Sequence, residues 1–325
     1  MNYALKNLSG DHHENVVGKR AIERIEEIEA LARESDAQCR TWQWLKNFTA
    51  LGVGGPVAAI IYPSTLVGAA RLVERLKRAG IRWRALGHGT SILASDEIHD
   101  LVAISLRLLD ERLVFEDVRV RVHAGYSLPA LVQSAAEHGL SGLEGLAGIS
   151  GGVGGALRMN AGAAGREVWS VVENLSLADE GQVKIIPAAE VLLEDDQTCL
   201  TDENLILAAT LKLTAGDPAE IKAEMDRVWQ AHLAEQPSGA GVASRIFKSA
   251  AVDPTDRVID QLGLKGAAHG GARISETHAE FIVNEGDATA EDVFELTDMI
   301  RERARQERGL ELEYEVDIWR DEAES

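Results

Sequence analysis

The chain has 325 residues, 45% apolar and 26% charged, which suffices for one large domain or two to three ordinary ones and excludes a disordered or fibrous protein. Its 33 Lys and Arg against 53 Asp and Glu give a formal charge of -20, so nucleic-acid phosphates and anionic membranes are repelled, and an anionic ligand needs a local pocket of backbone N–H groups and a few placed cations. Two distant cysteines, Cys39 and Cys199, with no apolar leader or membrane-length apolar run, predict a soluble cytoplasmic protein with neither a disulfide framework nor a zinc site.

Residues 1–18 are polar, and His12 and His13 in this stretch are read as inert. Ile22, Ile25, Ile28 and Leu31 then recur at three-residue spacing, which predicts an amphipathic helix of about four turns inside an N-terminal extension, 1–40. Leu66, Ala69, Ala70, Val73 and Leu76 mark a second helix, and the apolar run 81–86 reads as a strand ending in Gly87, His88, Gly89, Thr90 and Ser91. Val118, Val120 and Val122 alternate with Arg119 and Arg121 as a half-exposed strand, and 128–138 reads as a helix closed by Gly139. Over 142–165 the chain reads GLEGLAGISGGVGGALRMNAGAAG, without helical or strand period, and a ligand-facing loop is expected there. Strands are predicted at 171–177, 183–186 and 205–213, after which Gly216, Asp217 and Pro218 punctuate the chain before a helix over 219–234. A boundary near 215 would separate a domain 41–215 from a domain 216–325. The remainder reads as a loop at 239–243, a strand at 280–284, a helix from Thr289 to about 307 with Asp292 near its third position, and a final strand at 312–318.

Gly87, Gly89, Thr90 and Ser91 after a strand let successive N–H groups converge on a phosphate, though the same residues also suit a plain tight turn. It is neither a Walker A loop nor a dinucleotide-binding GxGxxG that opens a helix. The longer glycine run supplies a second cradle, and two cradles in one α/β domain suggest a dinucleotide. Asn160 either bonds a heteroaromatic edge or caps its own turn. Glu311, Glu313 and Glu315 alternate on the predicted last strand, so at most one points into a site. His88, His232, His269 and His278 fall in or near loops, where a surface role competes with a pocket role. No nucleophile elbow, Ser-His-Asp order or metal-ligand cluster is present to support hydrolase or metal chemistry.

From Trp42 to Arg320 the order of segments resembles the UDP-N-acetylenolpyruvoylglucosamine reductases, the MurB family. The marks are Asn47-Phe48-Thr49, Gly52-Val53-Gly54-Gly55-Pro56, the 86–93 and 139–156 glycine segments, Met159-Asn160-Ala161-Gly162-Ala163, Gly270-Gly271-Ala272-Arg273-Ile274-Ser275 with His278, Phe281-Ile282-Val283-Asn284, and Leu312-Glu313-Tyr314-Glu315-Val316. The resemblance implies an α+β fold in which an FAD-binding domain of the vanillyl-alcohol-oxidase (PCMH) type, made of two sub-domains, precedes a MurB-like α/β substrate-binding domain. It implies FAD as cofactor and NADPH as reductant, with a hydride passed to the enolpyruvyl group of a UDP-sugar in peptidoglycan precursor synthesis. On this pattern Gly87, His88, Gly89, Thr90, Ser91, Ile92, Gly148, Ile149, Gly154, Gly155, Asn160, Gly162 and Ile206 border FAD, while His232, Lys248 and His278 face the substrate.

In the family a Ser protonates the product while a Glu and an Arg support the enol, and Glu315 falls on the position of that Glu. Arg245 stands on the Ser position with Ser244 one residue earlier, and the family's Tyr-Arg pair is Asp195-Asp196 in this chain. The retained Glu315 supports a reductase in which Arg245 stabilises the enolate and Ser244 or a water protonates. The changed positions support a flavin-binding paralogue whose reaction is lost or altered. A third reading, an oxidase with attached flavin, would rest on His88.

Overall fold

A computed structural model describes residues 24–110, 113–163, 166–194, 197–201, 203–237, 241–242, 245–248 and 254–320. The first lobe runs α1 (Ile25–Glu34), β1 (Ala37–Trp44), β2 (Pro56–Pro63), α2 (Leu66–Arg78), β3 (Trp83–Ala85), β4 (Ile92–Ala94) and β5 (His99–Ile104). Its sheet has the order β1-β2-β5-β3, antiparallel only between β1 and β2. The unbroken apolar run of β2 is buried along its whole length, as a strand covered on both faces must be. Thr65 opens α2 by accepting the Gly68 N–H, and the helix buries Leu66, Ala69, Leu72, Val73 and Leu76. Helix α1 sends Ile28 and Ala32 into the same core, which makes it a packed part of this lobe. The predicted first turn at Ile22 lies outside the described residues. Because β2, β5 and β3 run parallel, Tyr62, Ser105 and Leu86 leave the sheet at one common edge.

The second lobe contains β6 (Val114–Glu116), β7 (Arg119–His123), α3 (Leu128–Glu137), α4 (Val153–Arg158), β8 (Val172–Asp179), β9 (Gln182–Pro187) and β10 (Ile206–Lys212). The five strands form an antiparallel sheet ordered β9-β8-β10-β7-β6. Helix α4 corrects the expectation of a period-free loop over 142–165. Its start is fixed by tertiary contacts, with the Gly154 N–H donating to the Ala124 carbonyl at 2.7 Å and the Val153 N–H to the Tyr126 carbonyl at 2.9 Å. Glycine composition hides such a helix because it leaves no apolar stripe.

Helix α5 (Pro218–Glu235) is capped by Asp217, whose carboxylate accepts the Ala219 N–H at 2.7 Å. Met225 and Val228 pack against the core shared by the first two lobes. The helix beyond the 215 boundary thus lies on the preceding lobe. The third lobe adds α6 (Thr255–Gln261), β11 (Ala268–His269), β12 (Ala272–Ile274), β13 (Ile282–Asn284), α7 (Ala290–Arg308) and β14 (Asp317–Trp319). Its core joins Ile246, Phe247, Ile259, Phe294 and Ile300 to Leu51, Val53 and Leu93 of the first lobe. Helix α7 has the expected capping box of Thr289 and Asp292 and ends at left-handed Gly309. The final strand is shorter than predicted, since only β14 forms a ladder, parallel to β4. Ahead of it the chain meets the described residues 245–248 in one bridge, Phe247 to Tyr314.

Two side chains of widely separated sequence fasten the third lobe to the first. Asn284 Nδ2 donates to the Leu51 carbonyl at 2.7 Å, and Asp96 Oδ2 accepts the Ala290 N–H at the start of α7 at 2.7 Å. Among the described residues no helix is long and apolar enough to cross a membrane.

Candidate functional site

The two glycine segments meet. Leaving β3, the first cradle packs Gly89 so closely on the preceding loop that an added Cβ would lie 1.8 Å from the Phe48 carbonyl oxygen, at a φ of +71°. The Ala50 N–H donates to the Gly89 carbonyl at 2.8 Å, which explains why Asn47, Phe48 and Thr49 accompany the cradle. The Thr90 hydroxyl lies 2.9 Å from the Cβ position of Gly151, and the His88 ring 3.0 Å from that of Gly152. His88 Nε2 faces the Gly125 carbonyl at 3.4 Å, and burial pushes its pKa below the ordinary imidazole value. In contrast, added Cβ atoms on Gly87 and Gly155 would meet nothing within 4 Å. Backbone at both cradles therefore borders open space.

The other expected cofactor-side residues divide by position. Ser91 accepts the Asp317 N–H at 2.9 Å through its carbonyl, and Ile92 is buried in β4. Gly154 rests on Ala124, and a Cβ at Gly148 would lie 2.8 Å from the His232 ring. Ile149 is half-buried. Asn160 has a positive φ of 47°, and its side-chain Oδ1 accepts the Trp169 N–H at 3.3 Å, so the amide ties its turn to a segment nine residues further on. Gly162 pairs with Glu167, and Ile206 is buried at the start of β10.

Glu315 and Arg245 are brought together at the rim of the first cradle. Arg245 Nε lies 3.6 Å from Glu315 Oε2, the carboxylate side chain being 19% exposed and the guanidinium 45%. Extended pairing holds them, with the Glu315 N–H on the Ile246 carbonyl at 2.8 Å and the Lys248 N–H on the Glu313 carbonyl at 2.9 Å. Two residues past Glu315, Asp317 bonds Ser91, which sets the pair beside the cradle. Burial raises the Glu315 carboxyl above the usual carboxylate range, against the opposing charges of Arg245 and Lys248. Of its alternating neighbours, Glu313 is exposed and pairs with Lys248 at 3.0 Å. His278 stacks edge-on against Phe281 in the turn whose Glu280 carbonyl accepts the Ile246 N–H at 3.2 Å. Ser244, Asp195 and Asp196 lie outside the described residues, as do His12, His13 and most of the 239–243 loop. His232 sits at the second cradle, packed on Gly148.

A family model described as an FAD binding domain matches residues 57–184, and one described as the UDP-N-acetylenolpyruvoylglucosamine reductase C-terminal domain matches 236–319. The UDP-N-acetylenolpyruvoylglucosamine reductase of Syntrophus aciditrophicus is 36% identical over 279 residues, covering 84% of this chain and 89% of that protein. That of Thermotoga maritima is 34% identical over 277 residues, 85% of this chain and 96% of the relative. The crystal structure of the Thermus caldophilus enzyme matches with a TM-score of 0.74 at 35% identity, over 87% of this chain and 99% of that one. The chain belongs to the UDP-N-acetylenolpyruvoylglucosamine reductase family. Its architecture is the expected one, α+β, with an FAD-binding domain followed by the reductase C-terminal domain.

The residues present fit the flavin dinucleotide of the reductase family. The open faces of Gly87 and Gly155 are cradles that a Cβ would fill, and the N–H groups around them suit a diphosphate. One wall of this cleft escaped the sequence reading. Residues 124–127 run beside the second cradle, with a bridge between Ser127 and Gly152 and the Leu128 N–H on the Gly151 carbonyl at 3.0 Å. The available signal was Gly125, a lone glycine between a strand and a Ser-capped helix.

Proposed function

We propose that this chain reduces the enolpyruvyl group of a UDP-linked amino sugar in the cytoplasm, with FAD as cofactor and NADPH as reductant, in peptidoglycan precursor synthesis. The observation that carries the reading is the hydrogen bond from Asp317 N–H to the Ser91 carbonyl, which sets the Glu315–Arg245 pair beside the glycine cradle. Bound flavin supplies two-electron hydride transfer between nicotinamide and the substrate double bond. The backbone around Gly87, Gly89, Thr90 and Ser91 and around Gly151, Gly154 and Gly155 holds the diphosphate and fixes the cofactor in the cleft.

Reduction at one alkene carbon leaves enolate-type charge on the carboxylate end of the substrate. Arg245 places its cation where that charge develops, while Glu315, 3.6 Å from Arg245 Nε, holds that guanidinium in place beside the enol. Ser244 or a water delivers the proton to carbon. Lys248 and His278, on the same segments, and His232, at the second cradle, orient the nucleotide-sugar phosphates.

The test is anaerobic. The FAD-loaded protein is reduced with NADPH, the enolpyruvyl UDP-sugar is added, and the oxidised flavin absorbance is expected to return. A flavin that NADPH reduces and the UDP-sugar leaves reduced would overturn the proposal in favour of a flavin-binding paralogue.

A further inference from the structure

Strands β3 and β5 are neighbours in register, Ala85 opposite Ile104, so the chain continuing from each leaves the same sheet edge. His88 follows Ala85 and Arg107 follows Ile104 by the same number of residues. In an open parallel sheet the crevice beyond the carboxyl ends of the strands is where ligands bind. Arg107 is part of the cleft wall, because a Cβ on Gly125 would lie 1.9 Å from the Leu106 carbonyl oxygen and 2.7 Å from the Arg107 nitrogen. The same Gly125 faces His88 with its carbonyl. The guanidinium is near enough for its charge to act on both His88 and Tyr62, two side chains of this edge.

Many of the described arginines of this acidic chain pair with carboxylates, as in Arg84–Asp317, Arg119–Glu173 and Arg273–Glu285. Among the described residues Arg107 has no carboxylate partner, although the formal charge is -20. An exposed cation without a carboxylate, beside a cradle of N–H groups, is placed to meet an anion that the ligand brings. The proposal rests on the FAD reading above. We propose that Arg107 is the cation that pairs with the diphosphate of bound FAD, closing the cradle from the β5 side.

The test follows release of FAD from the loaded protein after dilution, read as the rise of flavin fluorescence over a range of salt concentrations. Arg107→Gln is expected to speed release about tenfold at low salt and to flatten its salt dependence, while Arg107→Lys retains most of the wild-type behaviour. UDP and NADPH affinities of the Gln variant should match wild type. Release from Arg107→Gln equal to wild type across the salt series would overturn the proposal. So would weakened NADPH or UDP binding with FAD release unchanged, which would give the cation to another phosphate. Arg107→Met, which keeps the apolar stem, replaces the Gln variant if that one fails to fold. Wild-type protein that takes up no FAD would overturn the cofactor reading itself, an outcome distinct from a variant effect.

Discussion

Replacing Gly89 by Ala puts a methyl group where the Phe48 carbonyl already stands. The new Cβ would lie 1.8 Å from that oxygen, so the two segments must separate by at least about 1.2 Å to reach the 3.0 Å limit of real contacts. Neither side yields readily. The loop is pinned by the Thr49 N–H on the Leu45 carbonyl at 3.0 Å, by Thr49 Oγ1 on the Val53 carbonyl at 2.7 Å and by the Ala50 N–H on Gly89 itself at 2.8 Å. The left-handed φ of +71° adds about 1–2 kcal/mol for any residue with a Cβ, and overpacking adds about 1–3 kcal/mol. A total loss of about 2–5 kcal/mol corresponds to a fall in melting temperature of about 4–20 °C. Gly87→Ala is the control, since its Cβ meets nothing within 4 Å. Thermal unfolding of flavin-free and FAD-loaded protein, with flavin occupancy from visible absorbance, separates the two. Gly89→Ala should melt early in both forms, and Gly87→Ala should melt normally without flavin and retain FAD poorly. A Gly89→Ala midpoint within about 2 °C of wild type, or a Gly87→Ala variant less stable than Gly89→Ala, would refute the close-approach argument.

Five further outcomes are expected. Glu315→Gln should leave reduction by NADPH unchanged and slow flavin reoxidation by the enolpyruvyl UDP-sugar about 100-fold in stopped-flow absorbance; an unchanged reoxidation rate removes Glu315 from the chemistry. Because burial raises the Glu315 pKa, its folded state favours the protonated form, and wild type should lose stability relative to Glu315→Gln as pH rises through the window above 4.5. Gly148→Ala, at φ +94° and 2.8 Å from the His232 ring, should be destabilising, and His232→Ala should recover the steric share in the double variant; strict additivity of the two denaturant midpoints would show that they do not touch. Burial lowers the pKa of both His88 and His123, so the stability they contribute is present above 6.5 and lost as pH falls below it, and His123→Phe should reduce that loss in urea midpoints at about pH 7.5 and about pH 5.5. Asp96→Ala removes the acceptor for the Ala290 N–H and should cost about 1 kcal/mol in thermal unfolding, whereas an unchanged midpoint would mean that Asp96 does not help hold the third lobe.

Much of the fold was legible because its signals are local. Asp217 before Pro218, Thr289 with Asp292, and the alternation around Val120 each act within a few residues of where they stand, and each element formed close to its predicted bounds. The first cradle was legible for the same reason, being a run of small residues directly after a strand. Helix α4 was not, because its first turn is held by the carbonyls of Ala124 and Tyr126, contributed by another segment. The last strand was overextended because alternating Glu and Leu fit a strand whatever the length of the neighbour, and among the described residues a continuous ladder forms only along β4, the part ahead of it making a single bridge.

The sequence by itself determined the locally signalled elements, the two cradles and the residue types available for chemistry, since backbone freedom, capping and periodicity are properties of short segments. Only the tertiary structure decided which of those residues meet. Asn284 reaches Leu51 across 233 positions, Arg245 faces Glu315, and Arg107 comes to the same edge as His88. These encounters depend on the order of strands in a sheet and on how apolar faces pack between lobes, and no spacing along the chain encodes either directly.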